Sequence, residues 1–349
     1  MQSGDLIFKD PLKGLHAFMR NLRLVWHCAG DAYPGSDLFH RWRRLRFLLR
    51  SMLWWKSTTV WLSSYAAPSS RASMQWHACN LERIHRPFMH SAFAAEDRLR
   101  ISLDHQYFTW RLAPRIAHAM TTYGSALLAS FAASGQTWSL LVESLDRFHE
   151  EGDWSLCIRD AAGARLVSCT FSVGRLAGKV SRPRLLIGCV QGPDTAVNGR
   201  ELFRALTRQW HGLRPKPFIV YLAQSLAHEM GASNALLVSN HAHIYSHWRY
   251  MLRKRRVKAD YVALSRECGR VTAWNGWLLL GLPHNRKRST QPDRNGRGRT
   301  RRLRGELLAS VEAQIRRAVH YSAWLSAGAP TPSVSVTQSQ PPHEDPSAG

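Results

Sequence analysis

Apolar residues recur at helical spacing in the N-terminal part of the chain. Within residues 36 to 66, Leu38, Trp42, Leu45 and Leu49 lie about one turn apart, and arginines fill most of the other faces. This pattern predicts one basic amphipathic helix. Two interpretations of the helix stay open. In the more frequent arrangement its apolar stripe packs on the core, and in the other it lies in a membrane interface with its cations on lipid phosphates.

Apolar and polar positions alternate from Gln136 onward, which predicts an antiparallel meander. Its first three strands are predicted around Trp138 to Val142, Trp154 to Ile158 and Leu166 to Val173. A fourth strand, Arg184 to Val190, is apolar almost throughout and therefore fits a more deeply buried position. Gln191-Gly192-Pro193 then stops any regular element.

Helical patterns and short strands follow the meander. Asn198 is placed to cap a helix that runs to about Trp210, and a second helix runs from Pro217 to Met230. The remaining predicted elements are a buried strand at 236–238, a third helix from about His241 to Arg256, and strands at 271–273 and 277–280. The order predicts an α/β or α+β fold, a mostly antiparallel sheet flanked by helices, behind a helical N-terminal region.

The same patterns divide the chain into four parts. Residues 1–110 form a helical, basic N-terminal region, and residues 111–283 form the α/β core domain. Residues 284–326 contain a run rich in arginine and then one amphipathic helix marked by Leu308, Val311, Ile315 and Val319. Residues 327–349 are rich in Pro, Ser and Thr, so we expect them to be disordered.

The charge of the chain points to an anionic partner. There are 48 Lys and Arg against 24 Asp and Glu, a net charge of +24, and such an excess attracts phosphates of nucleic acid, lipid or a nucleotide cofactor. Only eight of these cations are Lys, so genomic base composition is an equally good explanation of the excess. A nucleic-acid partner rests on charge alone, because no stacking or recognition-helix motif accompanies it.

The six cysteines are scattered singly and build no metal site by their spacing. They are typical of buried thiols in a reducing compartment. The N-terminus has no apolar segment followed by a small-residue cleavage site, so no signal peptide is expected. We therefore predict a cytoplasmic protein, peripheral at the inner membrane if the amphipathic helix binds lipid.

Two short segments carry the candidate chemistry. Arg214 and Lys216 stand at the start of a predicted helix, where the positive end of the helix dipole favours an anion. Asn240, His243 and Tyr245 follow a buried strand, at the edge of a sheet where α/β proteins bind ligands. Each residue also has an ordinary structural interpretation, such as an ion pair for Arg214, a helix cap for Asn240 and packing on the sheet for Tyr245.

The segments Ile187-Gly188-Cys189-Val190-Gln191-Gly192-Pro193 and Gly212-Leu213-Arg214-Pro215-Lys216 resemble the bacterial VirK/YbjX family. The resemblance covers roughly residues 75 to 283 and departs from the family pattern at Tyr261 to Arg270. It implies an association with virulence, the cell envelope and resistance to cationic antimicrobial peptides. The molecular activity of the family is unassigned, so the resemblance supplies no catalytic residues.

The order of elements is also similar to the N-acetyltransferase (GNAT) arrangement, in which a loop holds the pyrophosphate of coenzyme A. That similarity implies an acyl-coenzyme A or a similar carrier. Its expected cofactor-binding residues are Gly212, Arg214, Lys216 and Asn240. Tyr245 would be the general acid, and Gln191 and His243 would contact the substrate. The arrangement requires a cleft between the strands at Leu186 and Leu237.

Overall fold

The computed structural model describes residues 11–65, 78–176, 182–193, 198–250, 260–269, 271–282 and 297–320. The first part of the chain is helical, as predicted. Its helices are α1 (Pro11–Ala32), α2 (Leu38–Leu53), α3 (Trp55–Tyr65), α4 (Ala78–Leu81), α5 (Ala95–Leu112) and α6 (Pro114–Tyr123). None of these helices, and none elsewhere in the described ranges, combines the length and apolar character that crossing a membrane requires.

Eight strands and four longer helices make up the rest of the described fold. The strands are β1 (Ser125–Ala133), β2 (Gln136–Glu143), β3 (Trp154–Arg159), β4 (Arg165–Gly174), β5 (Arg184–Gln191), β6 (Ala235–Val238), β7 (Val271–Trp274) and β8 (Trp277–Leu280). The helices are α7 (Gly199–Gln209), α8 (Pro215–Glu229), α9 (Tyr261–Cys268) and α10 (Arg297–His320). The mixed α/β class with a mostly antiparallel sheet is therefore confirmed.

The strands form one sheet in the order β1-β2-β3-β4-β5-β6-β8-β7. Every neighbouring pair is antiparallel except β5 and β6, which run parallel. The parallel pairing is short, since it joins only residues 185–187 of β5 to residues 235–237 of β6. Because β5 continues to Gln191, its last residues extend past this pairing and have no ladder partner on the β6 side.

Gly188 marks the position in β5 where the pairing changes. The register between β4 and β5 shifts there, because Thr170 pairs with Cys189 and Phe171 pairs with Ile187. A side chain at Gly188 would place its Cβ 1.8 Å from the carbonyl oxygen of Glu151. Only glycine allows the loop at Glu151 to pass this close to the strand.

The main hydrophobic core lies between the sheet and its helices. Helix α8 contacts β3, β4 and β5, and Phe218, Ile219 and Leu222 are almost completely buried there. Helix α10 contacts β1 and α8, and buries Val311, Ile315 and Val319. A second cluster joins the N-terminal helices to one another. The stripe predicted for the terminal helix is thus a core-packing face.

Several local predictions agree with the structure. The meander strands, the fourth strand, the helices beginning after Asn198 and Arg214, and the strands at residues 235–238, 271–274 and 277–280 all form. Residues 283–296 of the basic run and the predicted tail at 327–349 lie outside the described residues. The division into four parts stays a prediction.

Two local predictions are wrong. The predicted helix over residues 36 to 66 is two helices, since Trp54 ends α2 with φ −117° and ψ 43°. Its stripe also fails to pack on the core as the more frequent arrangement requires. Leu38 and Trp42 are 82% and 60% exposed, and Phe47 on another face is buried instead.

The predicted third helix, His241 to Arg256, is absent over its described part. A short 3₁₀ helix, Ile244–Ser246, forms there, and residues 251–259 lie outside the described ranges. The Nδ1 atom of His243 accepts the Tyr245 backbone N–H, and that of His247 accepts the Arg249 N–H. These local bonds compete with the helical pattern of backbone hydrogen bonds.

Candidate functional site

An open cavity of about 1260 Å³ lies beyond the carboxyl end of β5. It is bounded by Gly192 and Pro193 after the strand, by helix α7, by the first turn of α8 and by one side of α9. This places the cavity next to the end of β5 that extends past its parallel partner. Sheet edges where neighbouring strands separate are frequent ligand sites in α/β proteins.

Five cationic side chains line the cavity. Helix α7 contributes Arg200, Arg204 and Arg208, which share one face because they are four residues apart. Arg214 and Lys216 come from the start of α8. Two acids, Asp260 and Glu267, also line it, so positive charge dominates the surface.

The two acids have partners of their own. The Oδ1 atom of Asp260 accepts the backbone N–H groups of Val262 and Ala263 at 3.0 Å and so caps α9. Glu267 pairs with Arg214, with 2.8 Å between Oε1 and Nη1. The ordinary interpretation of Arg214 as half of an ion pair is therefore correct in this state, although the exposed pair is only a weak constraint on the guanidinium.

Lys216 is the most enclosed of the five cations. Burial lowers its pKa below the usual value for lysine. Within the described ranges no carboxylate lies within ion-pair distance of its ammonium. A charge that is partly desolvated without a counterion is stabilised when an anion binds, so Lys216 favours phosphate entry.

Backbone groups add little to this anion site. Pro215 and Pro217 have no N–H, and the N–H of Phe218 donates to the Arg214 carbonyl. Of the first turn of α8, only the Lys216 N–H remains as a donor. The site therefore depends on side-chain cations more than on the helix terminus that the sequence emphasised.

The other predicted binding residues lie outside the cavity lining. Gly212 has a φ of +83° in the turn between α7 and α8, and the Arg304 guanidinium of α10 packs on it. Gln191 is the last residue of β5, next to Gly192 of the lining. The Oδ1 atom of Asn240 accepts the Tyr261 backbone N–H at 2.8 Å, which fixes the start of α9.

Tyr245 and His243 belong to a different, closed group. The ring of Tyr245 contacts those of His243 and Tyr250, and none of the three lines the cavity. Of the four residues expected around one carrier, the structure thus brings Arg214 and Lys216 together and keeps Asn240 and Tyr245 apart from them. Their assigned roles as ligands stay predictions.

Four buried polar side chains lie together at β5, next to the register shift at Gly188. They are Glu151, Cys189, His243 and Tyr261, each about 1% exposed or less. The Cys189 thiol donates to Glu151 Oε2 at 3.3 Å, and His243 Nε2 lies 3.7 Å from Glu151 Oε1. Burial raises the pKa of Glu151 to about 8 and lowers that of His243 to about 4. Burial thus favours the neutral form of both side chains, which weakens any ion-pair character of their contact.

Tyr261 belongs to this buried group and lies on α9, the helix that forms one side of the cavity. Its hydroxyl accepts the Val190 N–H at 3.4 Å, beyond the residues of β5 that pair with β6. Burial raises its pKa well above the usual value for tyrosine, so the hydroxyl keeps its proton. Asp260 and Leu264, on the same turn of α9, line the cavity.

The arginines of α7 and Tyr261 are the residues that the sequence interpretation missed. The arginines had a readable signal, because Arg200, Arg204 and Arg208 recur every four residues beside the predicted anion loop. Tyr261 had none, since helix α9 was not predicted. No cluster of three or more potential metal ligands occurs in the part of the chain that the structure describes.

Comparison with known proteins agrees with the sequence blocks. "Uncharacterized protein YbjX" of Escherichia coli (strain K12) is 26% identical over 290 residues, covering 82% of this chain and 86% of that protein. "Membrane protein LapB" of Mannheimia haemolytica is 30% identical over 226 residues, covering 62% of this chain and 92% of that protein. No solved structure matches.

The model of one family, described as "Protein of unknown function (DUF535)", matches residues 37–317, which is most of the chain. This match and the similarity to YbjX confirm the resemblance to the VirK/YbjX family. The chain therefore belongs to the DUF535 family.

Proposed function

We propose that this protein transfers an acyl group from coenzyme A or a similar phosphate-bearing carrier. The observation that carries the proposal is the cavity at the end of β5, where five cations converge beside a parallel strand pair that ends early. Phosphate groups are strong hydrogen-bond acceptors, and several arginines around one pocket suit a ligand with more than one phosphate.

The arrangement of strands favours the same class. The similarity to N-acetyltransferases requires a cleft between the strands at Leu186 and Leu237, and β5 and β6 pair only up to Ile187 and Leu237. Helix α8 follows β5 and packs beneath it, so that its N-terminus lies at the cavity. The inserted helix α7, which the similarity does not contain, adds three of the five cations.

The residues present fit such a carrier. Arg204, Arg208 and Lys216 would hold its phosphates, and Arg214 would join them by leaving Glu267. A volume of about 1260 Å³ exceeds the roughly 300–1,000 Å³ typical of small-molecule pockets, so a nucleotide-sized group fits. When bound, the carrier would supply an activated thioester.

The last residues of β5 offer one further hydrogen-bond donor close to Gly192 of the lining. The Val190 N–H donates to the Tyr261 hydroxyl only over a long distance, and a carbonyl oxygen would be a good alternative acceptor. Tyr261 is completely buried, does not line the cavity and has a pKa well above the usual value for tyrosine, so its hydroxyl is too enclosed and too weak an acid to protonate a leaving thiolate. We therefore assign Tyr261 a positioning role at the end of β5, and the general-acid role of Tyr245 stays a prediction.

The acceptor of the acyl group is proposed to belong to the cell envelope. The family resemblance implies roles in virulence, envelope integrity and resistance to antimicrobial peptides, and the relative LapB is named a membrane protein. A cytoplasmic protein peripheral at the inner membrane would meet lipid or lipid-linked acceptors there. Loss of the gene should then sensitise cells to cationic peptides.

Titration calorimetry with acetyl- and long-chain acyl-coenzyme A tests the proposal. We expect saturable binding that weakens at least about tenfold in the Arg204→Ala, Arg208→Ala double variant, since each charge-assisted hydrogen bond contributes about 1.5–3 kcal/mol. The matched control removes two exposed arginines of α10 by Arg299→Ala and Arg302→Ala, and should bind normally. Absence of saturable heat, or equal weakening in both double variants, contradicts the proposal.

A competition experiment separates this function from binding of any polyanion. A single-stranded oligonucleotide should displace acyl-coenzyme A only weakly at physiological salt, because non-specific phosphate contacts are lost as salt rises. Displacement by the oligonucleotide at equal phosphate concentration would favour the nucleic-acid alternative instead.

A further inference from the structure

Helix α2 presents a continuous apolar stripe to solvent. The stripe consists of large side chains that are 47% to 82% exposed, namely Leu38, Phe39, Trp42, Leu45, Leu49, Met52 and Leu53. Their spacing of three and four residues puts most of them on one face, and the helix buries the opposite face through Phe47 and Ser51. An apolar face of this size on a folded protein marks a binding surface.

Helix α1, which packs against α2, has an exposed apolar face as well. It is formed by Leu15, Phe18, Met19, Leu22 and Trp26. The Phe18 ring lies 5.3 Å from the ring of Trp55, two residues after the end of the α2 stripe. This contact connects the α1 face to the C-terminal end of the α2 stripe, and we call the two together the α1–α2 apolar face.

The charges around this face are almost all positive. Residues 11–65 contain nine Lys and Arg but only two acids, Asp31 and Asp37. Arg41, Arg43 and Arg46 lie on α2 beside the stripe, and the Arg43 guanidinium is 4.4 Å from the centre of the Phe39 ring. Cations next to tryptophan and leucine suit a surface with phosphates above hydrocarbon.

The dimensions exclude a spanning orientation and fit one in the plane of a bilayer. The 16 residues of α2 extend about 24 Å, which is less than the roughly 30 Å of a hydrocarbon core, and five arginines interrupt them. A protein partner would have to bury the arginines that flank the stripe, whereas a lipid headgroup layer pairs with them. Charge complementarity therefore selects an anionic bilayer over a neutral protein surface.

We propose that the α1–α2 apolar face binds to the surface of an anionic phospholipid bilayer. Both helices lie in the interface, with their apolar side chains below the headgroups and the arginines of α2 on lipid phosphates. This inference is independent of the acyl-carrier cavity, because none of the residues that line the cavity belongs to α1 or α2.

Co-sedimentation of the full chain with vesicles tests the inference. We expect binding to vesicles of phosphatidylcholine with about 30% phosphatidylglycerol, and much weaker binding to phosphatidylcholine alone, because anionic headgroups attract basic segments. The Trp42→Gln, Leu45→Gln double variant should lower the partition coefficient at least about tenfold, since two inserted apolar side chains are lost.

The matched control changes one tryptophan and one leucine that are equally exposed elsewhere. Trp110 and Leu127 are 47% and 59% exposed, against 60% and 47% for Trp42 and Leu45. The Trp110→Gln, Leu127→Gln variant should bind vesicles like the unaltered protein, and circular dichroism should show that both variants are folded. Failure to bind anionic vesicles, or the same loss in both variants, overturns the inference. So does a dimer in light scattering that only Trp42→Gln, Leu45→Gln dissociates, because a second copy would then cover the face.

Discussion

Helices α2 and α10 share a spacing of apolar residues but have opposite surroundings. Both are rich in arginine, and both carry apolar residues at intervals of three and four. In α10 that stripe is buried, with Val311 and Ile315 at 0% exposure, because β1 and α8 cover it. In α2 the corresponding stripe faces solvent, and only Phe47 and Ser51 of the opposite face are buried.

The difference shows what helical periodicity can and cannot tell. Periodicity identifies which residues share a face, because it follows from the geometry of the helix. What covers that face depends on residues far away in the chain. For α10 these are strand β1 and helix α8, which end at Ala133 and Glu229, well before α10 begins at Arg297. For α2, we propose, the covering surface is a bilayer.

Replacement of the central apolar residue in each helix by aspartate should separate the two cases most strongly. Ile315→Asp buries a carboxylate in the core and should lower the free energy of unfolding by about 4 kcal/mol or more. Leu49→Asp, at 55% exposure, should change it by less than about 0.5 kcal/mol. Denaturant unfolding monitored by tryptophan fluorescence measures both. Equal destabilisation would mean that the α2 stripe is covered in solution by protein.

Acidic pH should weaken the packing of α2 on the rest of the protein but not the packing of α10. Beneath α2 and α3, the Nε2 atom of His85 lies 3.1 Å from the Thr58 hydroxyl and 3.4 Å from that of Ser51. Burial lowers the pKa of His85 to about 3. Its neutral form therefore stabilises the fold fully above pH 6.5, and this stability is lost as the pH falls from 6.5 towards 3.

Between pH 6.5 and pH 5 the free energy of unfolding should fall by about 2 kcal/mol, since one pH unit corresponds to about 1.4 kcal/mol per proton. The His85→Gln variant keeps a hydrogen-bonding side chain that does not titrate. Over the same interval its free energy of unfolding should fall by about 2 kcal/mol less than that of the unaltered protein. Hydrogen exchange should show the acid effect in α2 and α3 and not in α10. The same pH dependence in both proteins would exclude His85 as its cause.

The smallest difference in stability between the two helices is expected when one arginine at the edge of each is replaced by alanine. The Arg44 guanidinium donates to the carbonyl oxygens of Tyr33 and Gly35 and so fixes the turn between α1 and α2. Arg44→Ala should cost about 1 kcal/mol. Arg316 of α10 pairs with Glu229 in an exposed ion pair at 3.2 Å, and Arg316→Ala should cost less than about 0.5 kcal/mol. Thermal unfolding of the two variants, measured side by side, should show the larger loss of stability for Arg44→Ala. A larger loss for Arg316→Ala would mean that Arg44 does not hold the turn between α1 and α2.

Much of the sheet could be predicted because its strands bury one or both faces. The alternation in β2 and β3 and the apolar run of β5 follow from that burial. Strand β1 was missed because its alanines and serines carry little contrast between faces. The helix predicted after Asn240 failed because histidine side chains take the backbone N–H groups that a helix needs.

The site could be predicted only where local sequence carries the charge. Arg214 and Lys216 precede a helix, and both line the cavity. Asn240 and Tyr245 were placed near them by analogy of element order, and the structure uses Asn240 to start α9 instead. Tyr261 reaches β5 through a contact that spans 71 residues, which no local pattern encodes.

A crystal structure of the protein soaked with coenzyme A at millimolar concentration would show whether the cavity at the end of β5 binds the carrier. We expect a pyrophosphate between α7 and α8, with its oxygens at charge-assisted hydrogen-bond distance, about 2.7–2.9 Å, from Arg204 and Lys216. We also expect the pantetheine arm to extend along β5 towards Val190. Coenzyme A bound at another place, or a cavity that stays free of ligand in these crystals, would contradict the proposed function.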